Sequence, residues 1–304
     1  MDRRTFLASG FALLAGAGCR SRGNELVVGS KNFTEQLVLG EILKQSLESA
    51  CQAPVDGRFY LAGSYICQQA ILAGRIDTYV EYTGTALAAI LKQQVSGDAT
   101  QVYEHVKQQY QQRFGLDVMP PLGFDNSFAL VMRADEASRL GVKTLSQLAP
   151  VASRLRLGVG YEFLERPDGY QGLIRTYDLR FAEEPRVMDL GLLYRALENN
   201  SVDIVAGNNT DGLIAALGLV VLQDDRHYFP PYDAVPIVRP EPLSKCPRAR
   251  AMFLSLAGRI SANHMRAMNY AVDGQKKDAA DVAREFLARN QIEMRKKNPR
   301  SSFA

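Results

Sequence analysis

The sequence predicts an α/β fold divided between two lobes, and three observations carry that prediction. The chain has 304 residues and is 46% hydrophobic, enough for a well-buried core and about two domains. Short apolar runs alternate with longer helical patterns, the rhythm of an α/β fold with a largely parallel sheet. Two proline pairs, Pro120–Pro121 and Pro230–Pro231, bracket a middle block and read as crossings between lobes.

In order, "ELVVGS" reads as a strand and "NFTEQLVLGEILKQSLESA" as a helix, with Leu39, Ile42, Leu43, Ser46, Leu47 and Ala50 on one face. Asn32 followed by Glu35 marks its start. "VDGRFYL" and "IDTYVEY" are strands, each followed by a helix, "SYICQQAILAG" and "TGTALAAILKQ". After the first proline pair "SFALVMR", "LRLGVG", "PRVMDL" and "VDIVAG" read as strands, separated by the helical "KTLSQLAPVA", "DGYQGLIRTY" and "GLLYRALENN". A helix starts from "TDGLIAAL", with Thr210 as its cap, and beyond "FPPYDAVPIV" the pattern is mainly helical.

The two halves echo each other. "QAILAGRIDTYVEYTG" and "RALENNSVDIVAGNNTDG" superpose without gaps, matching Ala70 with Ala196, Ile76 with Val202 and Asp77 with Asp203. The echo pairs Tyr82 with Asn208, both at strand ends, where α/β lobes usually bind ligands. Asn208 and Asn209 also close an apolar run, and buried amides are costly unless something satisfies them.

Residues 1–18 read as an export signal of the twin-arginine type. "MDRRTFLASGFALLAGAGC" has a charged head, an apolar stretch too short to span a bilayer and small residues ending at Cys19. "LLAGAGC" resembles a lipoprotein box that would make Cys19 the lipidated first residue, although Gly16 stands where Leu is usual; a plain signal cut nearby is the other reading. Residues 19–24 are then a linker, and the expected location is extracytoplasmic, periplasmic or at the cell surface. Removing residues 1–18, with Arg3, Arg4 and Asp2, lowers the formal charge from +3 to +2. Such a near-neutral surface says nothing for nucleic acid, and the basic "RKKNPR" terminus reads as a solvated end.

Cys51, Cys67 and Cys246 could form a disulfide in an exported protein. Cys51 and Cys67 are the nearer pair, but spacing does not settle connectivity and buried free thiols fit equally. His105, His227 and His264 lack metal-ligand spacing, no catalytic triad or phosphate loop stands out, and neither metal nor cofactor is expected. Nothing here speaks positively for an enzyme.

"GSKNFTEQLVLGEIL", "AILAGRIDTYVEYTGTAL", "EFLERPDG", "NTDG" and "FPPYDAVPIV" together resemble the substrate-binding proteins of osmoprotectant ABC importers over almost all of residues 25–292. That family takes glycine betaine, choline, carnitine and related quaternary amines. The resemblance implies a non-catalytic, two-lobed periplasmic-binding-protein fold (type 2 like), with two crossover hinges and the ligand in the inter-lobe cleft. Lobe 1 would take residues 25–124 and 229–304, lobe 2 residues 125–228, and the partner would be an ABC permease. An exported sensor or interaction module on the same fold is the alternative.

A quaternary ammonium has no hydrogen to donate and is held by aromatic faces; a carboxylate needs cations or N–H donors. Lys31, between a strand end and a helix start, is placed to meet the carboxylate; Thr85 either donates to it or caps the following helix; and the resemblance assigns Arg166 to it. The resemblance puts Tyr82 and Tyr232 in the aromatic cage, with Phe128 where a second Tyr is expected and Asn208 where a third is; Asn126 is a neighbouring polar position. Asp233, beside Tyr232, either adds a charge or faces solvent. An incomplete cage with an amide at 208 favours a betaine larger or more polar than glycine betaine, carnitine-like or ring-bearing, or another polar zwitterion.

Overall fold

A computed structural model describes residues 25–93 and 98–290. The expected export signal, Cys19, the expected linker and the basic terminus lie outside the described residues.

Among the described residues, ten strands form two five-stranded sheets. The first, in order β2-β1-β3-β10-β4, comprises β1 (Leu26–Gly29), β2 (Val55–Arg58), β3 (Thr78–Tyr82), β4 (Asp117–Val118) and β10 (Ala234–Val238). The second, in order β7-β6-β8-β5-β9, comprises β5 (Phe128–Arg133), β6 (Leu157–Val159), β7 (Arg186–Val187), β8 (Ile204–Asn208) and β9 (Leu219–Val221). The chain therefore passes between sheets twice, after β4 and before β10.

Neither sheet is as parallel as the sequence rhythm suggests. β2, β1 and β3 run parallel, as do β7, β6 and β8, but β10 is antiparallel to β3 and β5 is antiparallel to β8. These two strands follow the crossings, so each enters its sheet from the cleft side and runs against its neighbour. Register pairs Tyr82 with Ala234 in one sheet and Phe128 with Asn208 in the other. β3 and β8 thus hold equivalent places, which gives the internal echo a structural basis.

Both sheets are covered on both faces, the arrangement that parallel strands require. Leu26 and Val28 of β1 join one core cluster and Val27 the opposite one. In the second sheet Leu130, Met132, Ile204 and Ala206 face one side while Ala129, Val131 and Val205 face the other. The period-2 pattern of apolar residues on both faces explains why the runs read as unbroken.

Helix α1 (Thr34–Cys51) packs on the first sheet and against the helices Ala249–Leu256, Ala262–Asp273 and Ala279–Arg289. Its N-cap is Phe33, without a side-chain cap, rather than Asn32. Helix α2 (Ser64–Leu72) follows β2. After β3 the expected helix is one α turn, Thr83–Thr85, continued by a π-helical stretch, Ala86–Ile90. The N-cap position of the helix after β8 (Gly212–Ala216) is Asp211, without a side-chain cap, so Thr210 is not its cap. Cys51 at the end of α1 is bonded to Cys246, 195 residues away in sequence, and Cys67 is a buried free thiol. The distant cysteine, not the nearer one, meets Cys51 because the C-terminal helices fold back over α1.

The two crossing segments run side by side. Asp125 and Asp233 form an antiparallel bridge, the amide of Asn126 donates to the Tyr232 carbonyl and that of Ala234 to the Phe124 carbonyl, each at 3.1 Å. The carboxylate of Asp125 reinforces this ribbon by accepting from Ser127, Asn209 and the amide of Tyr232.

Candidate functional site

A cavity of about 380 Å³ lies between the lobes, and Lys31, Tyr82, Thr85, Asn126, Phe128, Arg166, Asn208 and Tyr232 all line it. The fold explains their convergence. Lys31 follows β1, Tyr82 ends β3 and Thr85 is in the turn after it; Phe128 starts β5, Asn208 ends β8, and Asn126 and Tyr232 belong to the crossing ribbon. Only Arg166, at the end of the short helix Tyr161–Glu165, comes from a connection within the second lobe. Asp233 is not among the lining residues; it is half-buried, and burial followed by the nearby Asp125 raises its carboxyl.

Each cation in the cavity already faces a carboxylate. Lys31 is paired with Glu81, both almost fully buried, and its ammonium stands 4.6 Å from the centre of the Tyr82 ring. Arg166 makes a two-pronged pair with Asp168 at 2.9 and 2.5 Å. It also donates to the Thr85 hydroxyl at 2.8 Å and lies over the Phe128 ring, 4.7 Å from its centre. Tyr232 donates its hydroxyl to Asp168 at 2.5 Å. Donors remain: a guanidinium carries five N–H groups and an ammonium three. Thr85, accepting from Arg166, keeps its own O–H to donate. The site can therefore bind an anionic group without holding an unpaired buried charge, which would be costly.

The aromatic wall is broader than the sequence indicates. Phe128 packs edge-to-face on Phe163 at 4.9 Å and on Tyr232 at 5.9 Å, with Phe229 also close at 5.9 Å. Phe33, Tyr161 and Phe163 line the cavity as well. Gly84 allows Tyr232 to approach: a Cβ there would meet the Pro231 carbonyl at 2.7 Å and the Tyr232 ring at 2.8 Å. Phe33 lies within "GSKNFTEQ" and Phe163 within "EFLERPDG", so both were within reach of the sequence motifs.

Glu35 is the principal residue that sequence reasoning missed. It is fully buried behind Tyr82 and accepts from four segments: Tyr82 at 2.6 Å and Asn126 at 2.7 Å on Oε1, Thr210 at 2.6 Å and Asn269 at 3.1 Å on Oε2. Burial pushes its carboxyl up to about 7, against the opposing hydrogen bonds of Thr210, Tyr82 and Asn269. Thr210 thus serves Glu35 instead of capping a helix. A further inter-lobe contact is made by Glu162, which accepts the amide of Ser64, the first residue of α2, at 2.7 Å.

Two α/β lobes joined by a double crossing, with an aromatic and ion-paired cavity between them, define a solute-binding protein rather than an enzyme. The chain belongs to the family described as the substrate binding domain of ABC-type glycine betaine transport system, whose model matches residues 24–289. It is 34% identical over 279 residues to a carnitine transport binding protein of Listeria monocytogenes, covering 91% of this chain and 90% of that one. It is 33% identical over 265 residues to an ergothioneine transport permease/ergothioneine binding protein of Helicobacter pylori, spanning 87% of this chain and 47% of that one. Among solved structures it resembles that of a glycine betaine/carnitine/choline ABC transporter, with a TM-score of 0.73, 30% identity and coverage of 88% and 99% of the two chains.

Proposed function

We propose that the protein captures a betaine in the inter-lobe cavity and delivers it to an ABC permease. The observation that supports this reading best is the convergence, in one cavity of about 380 Å³, of the Tyr82, Phe128 and Tyr232 rings with Lys31, Arg166 and Thr85. The rings suit a quaternary ammonium, which offers no hydrogen bond but is attracted to aromatic faces. The remaining donors of Lys31, Arg166 and Thr85 suit a carboxylate. Asn208 and Asn126 add amides where a smaller, fully methylated ligand would need none. The names of the relatives include carnitine, ergothioneine and glycine betaine, so they support the betaine class without choosing its size.

In this reading lobe 1 spans residues 25–124 and 229–304 and lobe 2 residues 125–228. Export through residues 1–18 and a lipid on Cys19 would hold the protein at the outer face of the membrane beside its permease. No helix among the described residues is long and apolar enough to cross a membrane. Calorimetry of the mature protein against glycine betaine, carnitine, choline and a ring-bearing betaine tests the ligand class. Heat from a quaternary amine and none from ordinary amino acids is expected; silence toward every quaternary amine would sink it. Mass spectrometry of the membrane-extracted protein would show a diacylated or triacylated Cys19, and an unmodified Cys19 thiol would refute the anchor.

A further inference from the structure

Lys31, Arg166, Glu81, Asp168 and Glu35 are all buried in or behind the cavity. Glu81 pairs with Lys31 and Asp168 with Arg166. Glu35 is the carboxylate left over. Its four partners, Tyr82, Asn126, Thr210 and Asn269, are neutral donors. Glu162 and Asp189 line the cavity as well, but Glu162 is only half-buried and Asp189 is exposed, so water and salt screen their charges.

The surroundings of Glu35 suit a charge. An ionised carboxylate only accepts, and donors converge on both its oxygens. The amide nitrogens of Asn126 and Asn269 could not accept a proton from it in return. A buried charge without a counter-charge is costly, and a cation on the cavity side would relieve that cost. Tyr82 is the group between the two: its ring lines the cavity and its hydroxyl donates to Glu35 at 2.6 Å. Hydrogen bonds in a low-dielectric interior polarise one another. Donation to a carboxylate therefore raises the electron density of the phenol and deepens the negative ring face that attracts a cation. Tyr232 makes the same bond to Asp168, but there Arg166 cancels the charge. Lys31, which faces the Tyr82 ring, is cancelled by Glu81.

We propose that Glu35 is a positioning residue that makes the cavity selective for a cation: through the Tyr82 hydroxyl it turns that ring, more than Phe128 or Tyr232, into the seat of the ligand's ammonium. The inference rests on the betaine reading and adds to it the residue that separates a betaine from a neutral-headed molecule of the same shape. An aromatic wall alone also accepts a tert-butyl group, which is apolar; the charge behind one ring tells the two apart. Burial pushes the Glu35 carboxyl up to about 7, so the charge is present above that pH and lost below it. The groups facing Glu35 are Tyr82 of β3, Asn126 of the crossing ribbon, Thr210 and Asp211 of the segment after β8, and Asn269 of the helix Ala262–Asp273. Asp211, the charged one among them, raises the carboxyl further.

The test is calorimetric titration of the mature protein with two matched pairs: glycine betaine with tert-butylacetate, and carnitine with its carbon analogue, in which tert-butyl replaces trimethylammonium. In the wild type the betaine of a pair is expected to bind about tenfold or more tightly than its carbon analogue. Glu35→Gln, which keeps the volume, should cut that ratio roughly fivefold or more, while the affinity for the carbon analogue stays within about twofold. Tyr82→Phe keeps the ring and breaks the link; it should cut the ratio similarly, and the double variant should cut it no further. The wild-type ratio should also fall as pH drops through 7, and the Glu35→Gln ratio should not. A purely structural Glu35 would weaken both members of a pair alike. An unchanged ratio in either single variant would therefore overturn the inference while leaving the betaine reading intact, and Tyr82→Phe decides it if Glu35→Gln does not fold. Silence toward both betaines would overturn both.

Discussion

At the scale of single residues, the cavity is built from side chains that hold one another. Tyr82 and Tyr232 each offer a ring to the cavity and spend the hydroxyl behind it, on Glu35 and on Asp168. Replacing either by Ala removes a cation–π partner worth about 0.5–2 kcal/mol, so the affinity for a quaternary amine should fall several- to about thirtyfold. Calorimetry checks this, and unchanged affinity in both variants would remove the aromatic assignment. Glu35 gives a prediction in pH. Its folded carboxyl titrates near 7 against an ordinary value of 4.5, so the folded state holds the proton more tightly than the unfolded one. Its contribution to stability is fully present below about 4.5 and is lost as pH rises through 7, by at most about 3 kcal/mol. Asp211, pushed up to about 6, acts in the same direction. Urea denaturation of Glu35→Gln should show a flatter fall in stability over that window than the wild type; a parallel curve would contradict the assignment.

At the scale of elements, the contact between α2 and Glu162 depends on a missing side chain. A Cβ on Gly63 would lie 2.1 Å from Glu162 Oε1, so Gly63→Ala must displace the carboxylate that accepts from Ser64. Losing a hydrogen bond to a charged group across the cleft should cost about 1–2 kcal/mol and release ligand roughly five- to thirtyfold faster. Stopped-flow dissociation would measure it, and an unchanged rate would mean the contact does not hold the lobes. The same elements show where sequence reading succeeds and stops. The apolar runs of β1, β3 and β8 are local patterns and were legible, as was the likeness of Tyr82 to Asn208, because both close a strand. The direction of β5 and β10 was not, since it follows from how the chain re-enters each sheet. Glu35 read as a helix-start acid because its partners Asn126, Thr210 and Asn269 lie 91, 175 and 234 residues away. Asp168 was quoted within a motif without its role: its partner Arg166 is only two residues away, but its second partner Tyr232 is 64 residues off.

At the scale of the whole molecule, the Cys51–Cys246 bond ties α1 to the segment that leads into the C-terminal helices. It encloses a very long loop, and its removal should lower stability by about 2–5 kcal/mol. Neither cysteine lines the main cavity, so Cys246→Ser should melt earlier yet bind ligand with unchanged affinity. A variant as stable as the wild type would contradict the pairing. Cys67 gives the complementary check. Burial pushes its thiol up to about 12, so a thiol reagent should leave it unmodified until the protein unfolds.

The paired crossing segments have a consequence for movement. Two adjacent strands hydrogen-bonded to each other, with Asp125 fastening Tyr232 from one and Asn209 from the second lobe, behave as a single axle. One connection alone would let the lobes swivel and slide; a bonded pair leaves one rotation about the ribbon and resists the rest. Tyr232 and Asn126 sit on that ribbon, so a rotation about it would leave them in place. Phe128, Arg166 and Asn208 travel with the second lobe. On the proposed function, a solute would meet Tyr232 and Asn126 on the crossing ribbon and be closed over by Phe128, Arg166 and Asn208 of the second lobe.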